Sequence, residues 1–227
     1  MIGTIVNVVA IIIGSMVGTL FKKGLKESYQ DILMQAMGLV ATALGIHATV
    51  SNLSDTKYPV LFIVSLALGG VIGQSLDLER RFKSMITKYS KGNLAEGLST
   101  AILLFCLGTL SILGPIESAL RDNHSYLFTN AILDGVTSIV LASTFGIGIT
   151  ISALILFCWQ GLLFLLAHVL SGLITPVLLT ETSIVGGILI FCSGLSILGI
   201  RKFNSLNLIP SLVIPVLFLI FKSAVGM

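Results

Sequence analysis

Residues 126–170 read YLFTNAILDGVTSIVLASTFGIGITISALILFCWQGLLFLLAHVL, and their length and hydropathy identify the class of fold. It contains a single charged residue, Asp134, among apolar and small side chains. An α-helix rises 1.5 Å per residue, so roughly 20 residues cross a hydrocarbon layer about 30 Å thick. The stretch is about twice that length and therefore has to fold back on itself. The glycine-bearing segment 143–148 is the predicted turn.

The composition extends this conclusion to the whole chain. Hydrophobic residues make up 55% of the 227 residues, charged residues make up 10%, and the mean hydropathy is +1.06. Soluble domains carry roughly 25% charged residues, so a soluble surface cannot be built from this sequence. The predicted fold class is therefore all-α, a polytopic transmembrane helix bundle that forms one integral membrane domain over residues 1–227. Its partner is the lipid bilayer, and no nucleic acid is expected because the basic residues occupy short breaks between apolar runs.

Apolar runs alternate with polar breaks and predict eight transmembrane spans. These spans cover residues 2–20, 32–50, 58–76, 94–114, 126–144, 148–170, 183–200 and 207–224. A competing interpretation makes residues 126–148 a re-entrant hairpin instead of a full span.

The basic residues predict the orientation, because cytoplasmic loops retain Lys and Arg during insertion. In the eight-span arrangement the larger group on one side is Lys22, Lys23, Lys26, Arg80, Arg81, Lys83, Lys88, Lys91, Arg201 and Lys202. The opposite side holds only Lys57, Arg121 and Lys222. Both termini are therefore predicted to lie outside, whereas the re-entrant arrangement divides the charges more evenly.

Two pairs of similar segments indicate internal repeats. IGSMVG at 13–18 matches LGGVIG at 68–73, and FCLGTLSILG at 105–114 matches FCSGLSILG at 191–199. In the eight-span arrangement the second pair crosses the membrane in opposite directions, which predicts the inverted-topology repeats found in secondary transporters. The GxxxG spacing within the first pair predicts close helix packing at Gly14, Gly18, Gly69 and Gly73. Those glycine faces and the small size of the chain also predict a homodimer.

Asp134 is the principal candidate for a functional residue. A charged side chain at the centre of a bilayer costs about 3 kcal/mol on insertion scales, so it needs compensation. Asn130 and Ser138 lie one helical turn before and after it, and Thr137 and Gly135 are close by in sequence. These residues predict a polar site that binds a cation or carries a proton. The alternative is a structural carboxylate satisfied by helix ends.

Further amide side chains lie in or beside the apolar runs, namely Asn7, Gln74, Gln160 and Asn207. Such residues either line a substrate path or hydrogen-bond neighbouring helices together. Pro210 and Pro215 are expected to interrupt the helix of the last span. The sequence contains no HExxH, nucleophile elbow or Walker A motif, so no enzyme activity, metal site or cofactor is predicted.

Three segments carry a family resemblance: TIVNVVAIIIGSMVG at 4–18, LDGVTSIVLASTFGIGITISALILFCWQG at 133–161 and SIVGGILIFCSGLSILGIRKFNSLNLIPSL at 183–212. The chain resembles the bacterial YdfK/YqgA-like family, number 554 among the domains of unknown function. The resemblance implies a bacterial inner-membrane protein whose activity is not established. Compared with the family pattern, this chain has Gln74 in place of an acid and Asn130 in place of a base. The paired change predicts that Gln74 and Asn130 approach closely.

Two functions are consistent with these features. The first is a small secondary transporter or channel-like carrier of a small solute or ion, with Asp134 in its site. The second is a membrane scaffold or accessory, substrate-binding subunit of a larger complex. A polar cavity beside Asp134 would favour the carrier, whereas a solidly packed interior would favour the scaffold.

Overall fold

The computed structural model describes residues 1–20, 26–87, 93–107, 109–169 and 175–225, which form helices joined by short connections and contain no strand. The helices are α1 (Ile2–Leu20), α2 (Glu27–Leu53), α3 (Leu61–Leu76), α4 (Leu78–Thr87), α5 (Asn93–Leu107), α6 (Thr109–Arg121), α7 (Ser125–Phe145), α8 (Ile151–Val169), α9 (Pro176–Ile197), α10 (Ser205–Leu208) and α11 (Val213–Val225). Short 3₁₀ turns at Ile147–Thr150 and Ile209–Leu212 precede α8 and α11. The prediction of an all-α protein is confirmed.

Six helical segments in the described part of the chain are long and apolar enough to cross a membrane. They are Ile2–Leu20, Gln35–Leu53, Ser125–Phe145, Ile147–Val169, Pro176–Ile197 and Ser205–Lys222. The predicted span 94–114 is instead the bent pair α5 and α6, whose axes differ by 43°, and counting this pair as one span gives seven. The predicted span 58–76 contains α3, a shorter apolar helix of 16 residues.

The turn predicted between the two central spans is confirmed. Helix α7 runs without a break to Phe145, and Gly146 then adopts a positive φ of 84° before the 3₁₀ turn begins. Positive φ is open to glycine at little cost, which explains why the helix ends there. Because α7 is one continuous helix of 21 residues, the interpretation of residues 126–148 as a re-entrant hairpin is wrong.

The last two predicted spans also have different helical bounds in the structure. Helix α9 begins at Pro176, seven residues before the predicted start at Ser183. Thr175 caps it, with its side-chain oxygen accepting a hydrogen bond from the Leu178 amide, and proline suits the first helical position. The last span is interrupted at Pro210 as predicted, because its first turns are the short α10 and a 3₁₀ turn.

The described residues group into two compact units, each built from two separate stretches of chain. The first unit comprises residues 1–36 and 83–172, and the second comprises residues 37–82 and 173–227. The prediction of a single domain stays a prediction. So does the predicted orientation, for which Lys22, Lys23, Lys88 and Lys91 lie outside the described residues.

In the first unit, α1 and α7 pack closely and run parallel. Contacts pair Gly3 with Leu127, Gly14 with Gly135, and Gly18 with Ile139, so positions on both helices rise together. A methyl group on Gly14 or Gly18 would overlap a backbone carbonyl oxygen of α7. The close packing predicted from this GxxxG pair is therefore confirmed.

In the second unit, α2 and α9 pack antiparallel along a line of small residues. The contacts pair Gly38 with Leu198, Thr42 with Gly194, Gly45 with Phe191, and Thr49 with Gly187. The two threonine hydroxyls donate hydrogen bonds to the carbonyls of Gly38 and Gly45 one turn earlier. Their polar atoms are thus satisfied within α2, and the backbones can approach closely.

The second GxxxG pair is also confirmed as a packing site. Gly69 of α3 lies against Ser211, and Gly73 lies against the backbone of Asn207. Here the positions run in opposite directions, so α3 and its partner segment are antiparallel. The two similar GxxxG segments therefore contact partner segments of opposite direction.

The second pair of similar segments also has two different structures. The copy at 191–199 ends α9, since Gly199 adopts a φ of 72° and the amide of Ile200 bonds the carbonyl of Leu195. The copy at 105–114 contributes to both α5 and α6, and α6 continues beyond Gly114 to Arg121. The similar sequences at 105–114 and 191–199 therefore adopt different local structures.

Candidate functional site

Asp134 lies near the middle of α7 and is almost fully enclosed, with 5% of its surface exposed. Its Oδ2 atom accepts two hydrogen bonds, from Asn7 Nδ2 at 2.9 Å and from Asn130 Nδ2 at 2.8 Å. Both donors are neutral amides. Among the described residues, no Lys, Arg or His forms an ion pair with this carboxylate.

The parallel packing of α1 and α7 places Asn7 beside Asp134. The two residues are 127 positions apart in sequence, and Asn7 is fully buried. The small residues further along α1 let the helix backbones approach, which brings the short Asn7 side chain within hydrogen-bonding distance. Asn130 needs no such contact, because it precedes Asp134 by one turn of the same helix.

Ser138 is also buried, but its hydroxyl donates to the backbone carbonyl of Asp134, at 2.6 Å, and not to the carboxylate. Thr137 is half-buried on the same helix. The structure therefore brings the side chains of Asp134, Asn130 and Asn7 together. Ser138 contacts only the backbone carbonyl of Asp134 in this group.

Two oxygen atoms on the face of α1 that carries Asn7 have no hydrogen-bond partner among the described residues. They are Oγ1 of Thr4 and Oδ1 of Asn7, and both side chains are fully buried. Buried polar atoms normally have a partner, so each of these two oxygens calls for an explanation. Thr4 is a residue that the sequence analysis missed; its position three residues before Asn7 was the available signal.

Gln160 belongs to a different contact of the first unit. It lies on α8, is fully buried, and its Nε2 donates to Oγ of Ser111 on α6 at 3.1 Å. This bond fits the predicted alternative of an amide that joins neighbouring helices. The structure does not bring Gln160 together with Asp134 by any direct hydrogen bond among the described residues.

Gln74 and Asn207 hydrogen-bond each other in the second unit. Nδ2 of Asn207 donates to Oε1 of Gln74 at 3.0 Å, while its Oδ1 accepts the backbone amide of Glu79 at 2.9 Å. Glu79 lies in the first turn of α4, where backbone amides have no partner inside the helix. Asn207 therefore caps α4, which is a structural role. Gln74 and Asn130 each have a partner in their own unit, and their mutual approach stays a prediction.

A second buried acid, Glu181, was missed by the sequence analysis. It lies on α9 with 1% of its surface exposed. Its Oε1 accepts hydrogen bonds from the Thr56 hydroxyl at 2.7 Å and from the backbone amides of Lys57 at 3.0 Å and Tyr58 at 3.2 Å. The Thr175–Pro176 pair is a helix-start signal that would have placed Glu181 inside the span.

Glu181 of α9 binds the connection at residues 56–58, which precedes α3. Further contacts of Tyr58 involve a third segment. Tyr58 donates its backbone amide to Glu181, while its hydroxyl accepts a hydrogen bond from Nζ of Lys222 on α11 at 2.6 Å. The Tyr58 ring also packs edge-on against Phe218, with centroids 5.0 Å apart. The carboxylate thus holds a junction of three segments of the second unit.

Replacing Glu181 with leucine is expected to destabilise the protein by about 3 kcal/mol, because it leaves three donors without an acceptor. In a detergent-solubilised sample this corresponds to a fall in unfolding temperature of roughly 6 to 12 °C. The matched variant Glu181→Gln keeps Oε1 as an acceptor and should lose less than about 1 kcal/mol. Equal losses in the two variants would show that the charge of Glu181, and not its acceptor atom, stabilises the junction.

Comparison with known proteins places the chain in a family. Residues 2–220 match the family described as "Protein of unknown function (DUF554)". The chain is 60% identical over 227 residues to the uncharacterised membrane protein YdfK of Bacillus subtilis (strain 168), covering 100% of this chain and 99% of that protein. It is 27% identical over 224 residues to the uncharacterised protein YqgA of Escherichia coli (strain K12), covering 94% of each. No solved structure matches significantly. The chain therefore belongs to the DUF554 family and is a membrane protein.

Proposed function

We propose that this protein is a small secondary carrier that moves a small solute or ion across the bacterial inner membrane, with Asp134 holding the coupling proton or cation. The observation that carries the proposal is the environment of that carboxylate. It is enclosed in the middle of an apolar helix and accepts hydrogen bonds from two neutral amides. No basic side chain among the described residues neutralises it, so a mobile positive charge is the natural partner.

The proposal includes an eight-crossing arrangement, in which α5 with α6 forms one crossing and the short α3 forms another. The parallel contact of α1 with α7 supports it, because these helices would be the first and fifth crossings. The antiparallel contact of α2 with α9 supports it as well, since these would be the second and seventh. Omitting the crossing of α7 would make α2 and α9 parallel.

The proposal also includes two structural repeats. Each unit holds one copy of both similar segment pairs: the first contains 13–18 and 105–114, and the second contains 68–73 and 191–199. This distribution supports an origin of the two units from related sequences.

Flux into proteoliposomes tests the carrier function directly. Purified native protein is reconstituted, and uptake of radiolabelled cations, amino acids and organic acids is compared with uptake by protein-free vesicles. The carrier is expected to give saturable uptake of one solute class that responds to an imposed ion or proton gradient. Absence of uptake across the panel would instead favour the accessory-subunit function.

The accessory-subunit alternative is compatible with the close backbone contact along α1 and α7. Such packing suits a rigid scaffold as well as it suits a carrier. The two functions share the remaining parts of the proposal, namely outside termini, a homodimer and no catalytic step. Labelling of a cysteine introduced at the N-terminus of a cysteine-free variant in intact cells checks the orientation. The mass of the particle in lipid nanodiscs checks the dimer.

A further inference from the structure

Thr4 and Asn7 each carry an unpaired oxygen atom, and Asn7 is the one that contacts Asp134. The residues are three positions apart, so they are neighbours on one face of α1, and neither side chain is exposed. Oγ1 of Thr4 and Oδ1 of Asn7 are both enclosed and have no hydrogen-bond partner among the described residues. An enclosed acceptor without a partner costs about 1 to 3 kcal/mol, so two such atoms require an explanation.

The orientation of the Asn7 amide is fixed by Asp134. Its Nδ2 donates to Oδ2 of Asp134 at 2.9 Å, which leaves Oδ1 on the same amide group next to the carboxylate. Turning the amide over would place Oδ1 against a carboxylate oxygen, and the two negative partial charges would repel. As long as Asp134 is ionised, the unpaired oxygen is therefore a consequence of this contact and is not removed by a flip.

The site as a whole has a surplus of acceptors and one negative charge. A carboxylate, an amide oxygen and a hydroxyl oxygen are the types of ligand that hard metal cations prefer. A proton can satisfy only one of these atoms, whereas a metal ion can contact several at once. One carboxylate balances one positive charge, which selects a monovalent ion, since a divalent ion would leave a net charge in the membrane interior.

We infer that Asp134, Oδ1 of Asn7 and Oγ1 of Thr4 form a binding site for a monovalent metal cation of the sodium class. This inference rests on the proposed carrier function and deepens it by naming the coupling ion. The amide of Asn130 then holds the carboxylate in place, because it donates to Oδ2 at 2.8 Å from the same helix.

Thermal unfolding of the purified full chain in detergent tests the site. Trp159 is the single tryptophan of the protein and packs against the core cluster of the first unit, so its fluorescence reports unfolding of that unit. Samples contain sodium, potassium or choline chloride at one ionic strength and pH. A cation present at about 100-fold excess over its dissociation constant is expected to raise the unfolding temperature by roughly 5 to 10 °C relative to choline.

The variant Thr4→Val separates a ligand from a structural residue. It removes an unpaired hydroxyl while keeping the branched shape, so stability in choline should stay equal or rise. We expect its sodium affinity to fall by about tenfold or more, the equivalent of losing one contact of roughly 1.4 kcal/mol. The matched control is Ser15→Ala, which removes another buried and unpaired α1 hydroxyl about three turns further along the helix. This control should keep the native response to sodium, and Asp134→Asn should lose it.

Equal unfolding temperatures in the three salts, with a monodisperse native protein, would overturn the cation site. Stabilisation by lower pH alone would also overturn it and would assign a proton to Asp134. The carrier function is judged separately by flux. Uptake without any effect of cations on stability would contradict the cation site but not the carrier function. Stabilisation by a cation without uptake would support the cation site and contradict the carrier function.

Discussion

Replacing Asp134 with asparagine is expected to reduce gradient-driven uptake in proteoliposomes by about 100-fold. The substitution removes the charge but hardly changes the shape of the side chain, and asparagine retains an oxygen that can accept from the amides of Asn7 and Asn130. Losing the interaction between a carboxylate and its cation costs about 3 kcal/mol, and each 1.4 kcal/mol is a factor of ten. Initial uptake rates under an imposed gradient measure the effect.

The control for Asp134→Asn is Ser143→Ala on the same helix. The Ser143 hydroxyl donates to the carbonyl of Val140 within α7, so its removal should leave uptake at the native level. Equal amounts of reconstituted protein, checked by size-exclusion chromatography before reconstitution, exclude a difference in folding. Native uptake by Asp134→Asn would remove this residue from the transport mechanism.

Replacing Gly73 with alanine is expected to destabilise the protein by about 3 kcal/mol or more, because the added methyl group would overlap backbone atoms. A methyl group at Gly73 would overlap the carbonyl oxygen of Asn207 and lie 2.6 Å from its carbonyl carbon. These are backbone atoms of a segment fixed by the bonds of Asn207 to Gln74 and Glu79, so they cannot move aside. The unfolding temperature in detergent should fall by roughly 6 to 12 °C.

Gly70→Ala supplies a control three residues earlier on the same helix. There the added methyl group would meet only a terminal carbon of Leu208, at 3.4 Å, and this flexible side chain can adjust. Alanine is also the better residue in a helix, so the variant should be neutral or more stable by up to about 1 kcal/mol. Similar losses at positions 70 and 73 would show that helix approach at Gly73 is not what limits substitution.

Parts of the Asp134 site follow directly from the sequence. The spacing of Asn130, Asp134 and Ser138 places them on one helix face, and the structure bears this out, because helix geometry alone fixes such neighbours. The role of each neighbour was less accessible. Ser138 bonds the backbone and Asn130 bonds the carboxylate, a distinction that depends on side-chain length and rotamer and not on spacing.

Asn207 shows that the contacts of an amide in an apolar run do not follow from the sequence. The sequence gives it the same weight as Asn7, since both are amides at the edge of apolar runs. The structure gives Asn207 a structural function, capping α4 through the Glu79 amide, whereas Asn7 contacts a buried acid. The two amides differ in the distant segment that each contacts, and a single sequence does not predict that contact.

The helix bounds illustrate the same limit at a smaller scale. Hydropathy predicts the apolar run of α9 but begins it at Ser183, and Glu181 falls in the break before that predicted span. Glu181 can be buried in α9 because three hydrogen-bond donors from residues 56–58 compensate the desolvation of its carboxylate. Local signals at Thr175 and Pro176 pointed to the earlier start.

The sequence alone indicates that the protein lies in lipid and that its structure is α-helical. A chain with this few charges has to satisfy its backbone in lipid, and helices do so within a single segment. The partners of individual residues become visible only in the folded protein. Asn7 contacts Asp134 across 127 residues, and Glu181 contacts the connection that precedes α3. Each GxxxG pair packs against the backbone of another segment. Such contacts depend on the depth, rotation and direction of whole helices relative to one another, which local periodicity does not fix.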